Sequence, residues 1–173
     1  MDENRLLIGG GSESDRRSIP LSTKKGEFIP NEKRLEKNPS QLKASEQIHK
    51  KSYSSIRLRS LTSTYNCVGM VFASRRVWVD TGVISQILKD DEYKRISADE
   101  VQVGDIVLYR NWDPTVYSHI GIVIEREKPG SASIEDMIVL SKWGQDGEYL
   151  HRLNDVSPML GQAVEFWSEK KSF

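Results

Sequence analysis

The order of helix-like and strand-like segments predicts an α+β fold, with N-terminal helices packed on a five-stranded antiparallel sheet. Three observations predict it. Between Tyr65 and Val77, apolar residues fall three to four apart, giving one apolar helix face with Val68, Val71 and Phe72 on it. After Val101 the period changes to short apolar runs. The links between those runs carry Gly, Pro, Asp and Asn, as hairpin loops do.

The elements follow in order. Residues 1–45 read as a basic tail, disordered or extended. Gly9-Gly10-Gly11-Ser12 is linker-like, prolines recur at Pro20, Pro30 and Pro39, and sparse apolar residues show no period. Ile19, Leu21, Phe28 and Ile29 are the points at which the tail can dock. Residues 46–173 form the domain. A helix from about Ser45 carries Ile48, Ile56 and Leu58, and the Ser60–Thr64 cluster interrupts it. The Tyr65–Val77 helix has Thr64 or Asn66 as its N-cap. A short helix over Ile84–Leu88 stops at Asp90-Asp91. Val101–Tyr109 is a turn feeding the first strand, and Asp105 is the carboxylate that stabilises that turn. The other strands are His119–Glu125, Met137–Trp143, Glu148–Leu153 and Gln162–Trp167, with a tight Gly144–Gly147 loop between the third and fourth.

Composition narrows the function classes. The 173 residues suit one domain with a tail, and 37% hydrophobic content leaves part of the chain outside a core. The formal net charge is zero, but residues 1–60 hold 13 Lys/Arg against 8 Asp/Glu and residues 61–173 hold 12 against 17. The basic stretch reads as a solvated tail; it lacks the arginine block or interleaved aromatics of a nucleic-acid binder. One cysteine makes no internal disulfide. Leu6-Leu7-Ile8 is too short for a signal-peptide core, and no run approaches a membrane span. A cytoplasmic protein, or one exported as an effector, is the expectation. One cysteine and three scattered histidines give no metal-ligand spacing, and Gly9-Gly10-Gly11 lacks the lysine of a phosphate loop. No cofactor or metal is expected.

The chemistry centres on Cys67, where a polar cluster gives way to the helical run. A thiol in the first turn of a helix meets free backbone N–H groups and the positive end of the dipole. Both favour the thiolate, which is the nucleophile. Ser118-His119-Ile120-Gly121-Ile122-Val123 opens an apolar strand on a histidine. A cysteine at a helix start and a histidine on a strand form the minimal set for nucleophilic catalysis. The bland alternatives are a small buried hydrophobe at Cys67 and a structural imidazole at His119.

Three motifs in this order resemble the NlpC/P60 group of papain-like cysteine peptidases. Asn66-Cys67-Val68-Gly69-Met70-Val71 resembles the family's Asp-Cys-Ser-Gly-Leu-Val helix start. Val103-Gly104-Asp105-Ile106-Val107 resembles its Pro-Gly-Asp-Leu-Val strand, and His119-Ile120-Gly121-Ile122 its His-Val-Gly-Ile strand. The resemblance implies a papain-like fold, Cys67 as nucleophile and His119 as base. It also implies a third residue that orients the imidazole, for which Ser141 and His151 are the candidates. Tyr65 and Asn66 are candidates for contact with the oxyanion or thiolate. The implied reaction is hydrolysis of an amide in a peptide or peptidoglycan fragment. The sequence departs from the family at Asn66, at Val68 and in the third residue. An acyltransferase on the same scaffold and a catalytically silent peptide- or protein-binding module are therefore the rival readings. No nucleic-acid or membrane partner is expected.

Overall fold

A computed structural model describes residues 17–169. It is an α+β fold with three short helices and a seven-stranded antiparallel open sheet. In chain order the elements are β1 (Asn31–Glu32), α1 (Pro39–Ser52), β2 (Arg57–Leu61), α2 (Cys67–Phe72), β3 (Trp78–Val79), a 3-10 turn (Thr81–Val83) and α3 (Ile84–Asp90). There follow β4 (Lys94–Ile96), β5 (Ile106–Arg110), β6 (His119–Arg126), β7 (Met137–Lys142), β8 (Gly147–Arg152) and β9 (Gln162–Ser168). The sheet runs β2-β8-β7-β6-β5-β9-β4, and β1 pairs with β3 in a separate ribbon. No described helix is long and apolar enough to cross a membrane.

The five expected strands are β5 to β9, each within about two residues of its expected bounds. The sheet has seven strands rather than five because β2 and β4 add to its two ends, on β8 and β9. Successive side chains of a strand alternate between faces, and directly opposed residues share a face. One face carries Ile106, Leu108 and Ile120, packed with Cys67 and Val68 of α2 and with Ile84, Ile87 and Leu88 of α3. The other carries Val107, Tyr109, Val123, Val139 and Tyr149, closed by Ile56, Trp143, Leu153 and Val156. Burial on both faces explains why β5 reads as a continuous apolar run rather than an alternating one.

The helices differ from expectation at their ends. α1 begins at Pro39, not near Ser45: the Asn38 carboxamide accepts from Ser40 N–H, and Pro39 stands where a missing N–H does no harm. α2 is one turn and a half, ending at Phe72 instead of Val77. Ser74 and Arg75 both take positive φ, 50° and 62°, and Ala73 and Arg75 both donate to Gly69 O, which closes the helix. Val77 is buried, but in the turn rather than on the helix, so the apolar spacing outlasts the helix itself.

Residues 1–16 of the expected tail lie outside the described residues. Residues 17–38 pack on the domain as an extended segment. Ile29 is buried in the Cys67 cluster, with Ile19 and Leu21 against it. Thr23 donates to Asp90 at 3.1 Å and Lys24 N–H to Asp91 at 2.6 Å. Further on, Glu36 accepts from Ser63 N–H (2.5 Å), Ser63 Oγ (2.8 Å) and Thr62 Oγ1 (2.5 Å), while Lys37 N–H donates to Ser63 Oγ. These bonds fix the loop that delivers Cys67, and burial of three apolar side chains offsets part of the entropy of ordering the segment.

Candidate functional site

Cys67 is the first residue of α2, and Asn66 is its N-cap. The Asn66 carboxamide oxygen accepts from Gly69 N–H at 2.9 Å and Val79 N–H at 3.2 Å, and its amide donates to Val79 O at 2.7 Å. Its carboxamide therefore joins α2 to β3, with one of the two amide N–H groups spent on Val79 O. Asn66→Ala is expected to cost about 2 kcal/mol, the upper end for a lost cap, because two buried β3 groups lose their partner as well. Urea unfolding measures this, and a change under 0.5 kcal/mol would contradict it.

The thiol is 5% exposed. Burial pushes it up to about 11, against the backbone N–H groups of Ile120 and Val68 and the charge of Lys142, which pull it down. At neutral pH it is a thiol. The approach of Ile120 N–H sets the sulfur at the beginning of β6, one residue along the chain from His119.

The His119 ring is turned the other way. Its strand partner is Tyr109, and the two rings lie 5.2 Å apart on the face remote from α2. The ring is fully buried and neither nitrogen has a hydrogen-bond partner. Burial pushes it down to about 3, helped by the nearby His151 and Lys142, so it is a neutral imidazole. The structure brings the backbone of His119 to the thiol but does not hydrogen-bond the ring to it.

Ser141 and His151 are brought to each other. Ser141 Oγ lies 2.7 Å from His151 Nε2, and His151 Nδ1 lies 2.7 Å from Arg152 O. A carbonyl only accepts, so Nδ1 carries the proton and Nε2 accepts from the Ser141 hydroxyl. Trp143 Nε1 donates to Ser141 Oγ at 3.2 Å. Burial holds His151 down at about 4. Ser141 spends its proton on His151, so neither residue orients His119 in this arrangement.

Tyr65 donates to the buried Glu148 carboxylate and lies 3.2 Å from Ser60 Oγ. Arg75 forms a two-pronged pair with Glu148, with Nε at 2.9 Å and Nη2 at 2.8 Å, and Arg59 adds a contact at 3.1 Å. Burial works to raise the Glu148 carboxyl, but these bonds and charges hold it below the usual range. Arg75, whose φ is 62°, reaches Glu148 from the turn that follows α2.

Two polar residues here went unread in the sequence, Glu148 and Lys142. Lys142 is fully buried, and its ammonium donates to Gly144 O at 2.7 Å and Asp146 O at 2.8 Å. A signal for it existed. It sits two residues after Leu140, on the face where alternation calls for another apolar side chain. His49 bonds Asp146 at 2.9 Å and packs edge-on against Trp143. Trp143 is a core residue, whereas Trp112 is exposed. A groove lined by Pro30, Arg34, Asn66, Trp78 and Asp80 borders the residue before the thiol.

Comparison with protein-family models, curated proteins and solved structures found no match for this chain.

Proposed function

We propose that the chain is a cysteine-dependent amidase or endopeptidase of the papain-like, NlpC/P60-resembling kind, held at rest with its thiol and imidazole both neutral. The observation that carries this reading is the placement of Cys67. It opens a capped helix, and its sulfur lies against the start of the strand that bears the site's one candidate base. The groove beside Asn66, with Arg34 and Asp80 on its walls, supports an extended peptide as substrate, and a cell-wall peptide is the first candidate.

In the proposed reaction the start of β6 first rearranges so that the His119 ring leaves the Tyr109 face of the sheet, and the ring then takes the thiol proton. The thiolate attacks the amide carbon, and the developing oxyanion faces backbone N–H groups at the head of α2. Imidazolium then protonates the leaving amine, giving a thioester, and water releases the acid and restores the thiol. That rearrangement is needed because the resting ring and the sulfur lie on opposite faces of the sheet, and the resting values of the two groups lie far apart as well. Substrate or solvent must enter before the ion pair becomes the lower state.

The ring contact between His119 and Tyr109 favours a second reading, a silent papain-like module that binds a peptide through the same groove. Turnover separates them. Under the amidase reading, peptidoglycan fragments are cleaved, and His119→Ala lowers turnover by at least tenfold. Peptide binding without turnover would establish the silent module. Adding a free amine tests acyl transfer, because the product then carries the amine's mass.

A further inference from the structure

We propose that Lys142 is a positioning residue for Cys67, its buried ammonium serving as the counter-charge held ready for the thiolate. The inference rests on Cys67 being the reactive group of the site, and it adds a residue to that site which the motif resemblance does not contain.

The register places Lys142. Ser141 pairs with Gly121 and Leu140 with Ile122, so the next position of β7, Lys142, faces the same way as Leu140 and comes level with Ile120. Leu140 packs with Tyr65 and Met70 on the α2 side of the sheet. Ile120 belongs to the cluster that holds Cys67, and its N–H points at the sulfur. The Lys142 ammonium lies 5.4 Å from the centre of the Tyr65 ring, two residues before the thiol. Thiol and ammonium thus lie on the same face at the same end of the β6–β7 pair.

The charge of Lys142 lacks an anion of its own. A buried ammonium is costly unless an opposite charge accompanies it. The partners of Nζ are two carbonyl oxygens in the turn after β7. Glu148, opposite it on β8, is already occupied by Arg75, Arg59 and Tyr65. The Asp146 carboxylate is engaged with His49. Among the described residues no carboxylate forms an ion pair with Lys142. The turn carbonyls hold the ammonium in place without neutralising it, and Cys67 is the group on the α2 side of the sheet that can become its anion. Burial pushes Lys142 down to about 8, with Asp146, then Cys67, Glu148 and Glu36 acting against that shift. The side chain is therefore still charged at neutral pH.

The experiment follows the alkylation rate of Cys67 by iodoacetamide in the full chain from pH 6 to 11. In the unmodified protein the rate rises with pH, flattens near pH 8 as Lys142 gives up its proton, and rises again near pH 11. Below pH 8, Lys142→Met slows alkylation about tenfold and abolishes the shoulder, whereas Lys142→Arg keeps the rate within about threefold. A purely structural lysine gives no shoulder. If Lys142→Met does not fold, the shoulder in the unmodified protein and the rate in Lys142→Arg still decide. A single smooth rise in the unmodified protein, or equal rates in Lys142→Met, would overturn the inference. Loss of peptidase turnover plays no part in this readout, so failure of the proposed hydrolysis and failure of the Lys142 role are told apart.

Discussion

Acid is expected to unfold this protein at a pH set by two histidines. His119 and His151 are buried and neutral, with folded values of about 3 and about 4. In the unfolded chain both return to about 6.5. Between 6.5 and those folded values the unfolded chain binds more protons, so stability is full above pH 6.5 and falls as pH drops through the window. Each histidine contributes about 1.4 kcal/mol per pH unit, and together roughly 5 kcal/mol are lost by pH 4.5. A domain of ordinary stability, about 5–15 kcal/mol, then unfolds or comes close to it. Urea unfolding at pH 4.5 to 7.5 measures the slope. His119→Leu leaves no hydrogen bond broken, because the ring has none, and it halves the slope. Stability unchanged from pH 7 to 5 would contradict the buried neutral state of both rings.

Gly69→Ala is expected to prevent folding, or to cost at least about 3 kcal/mol. A Cβ on Gly69 would stand 1.8 Å from Val77 O, and that oxygen is backbone. No side-chain rotation relieves the clash, so α2 or the turn before β3 has to move. The same glycine carbonyl accepts from Ala73 and Arg75 and so closes the helix. Any shift is passed to Cys67 two residues earlier and to the Arg75–Glu148 pair. Circular dichroism and urea unfolding test the prediction. A Gly69→Ala protein within 1 kcal/mol of the parent, with unchanged Cys67 alkylation, would show that the close approach of α2 to Val77 O is dispensable.

The strands were legible where hydrophobic period and turn residues agreed. Gly104-Asp105 before β5 and Gly144–Gly147 between β7 and β8 mark chain reversals by composition alone, and the structure has them there. Asp105 accepts from Gln102 N–H at 2.7 Å and from Ser168 Oγ at 2.6 Å, the turn-holding role its position suggests. The two end strands were hidden for different reasons. Arg57-Leu58-Arg59-Ser60-Leu61 does alternate, but Ile56 and Leu58 also fit a helix continuing from α1. Lys94–Ile96 is too short to have a period. The short α2 was overread because Val77 keeps the spacing through a turn whose left-handed residues, Ser74 and Arg75, carry no glycine to announce it.

The site was legible as residue types and not as directions. The motifs located Cys67 and the strand start at His119. Which way the His119 ring turns depends on its register with Tyr109, a pairing the sequence does not print. Ser141 and His151 were read as rival partners of His119 and instead bond each other, since β7 and β8 set them on one face. Lys142 and Glu148 were missed because a charged residue in a strand reads as solvent-facing until the α2 layer is known to cover that face.

Among the described residues the seven-stranded sheet does not close on itself, and β2 and β4 each have one edge with no strand paired to it. β2 at one end displays Arg57 and Arg59, and β4 at the other begins Lys94-Arg95. An incoming copy that aligned like edge with like would bring Arg57 against Arg57 or Lys94 against Lys94, whereas Arg59 and Arg95 already have Glu148 and Glu165 beside them. The basic residues are thus a guard against the chain stacking into ribbons of its own sheets. The guard is strongest at low ionic strength, and salt weakens it.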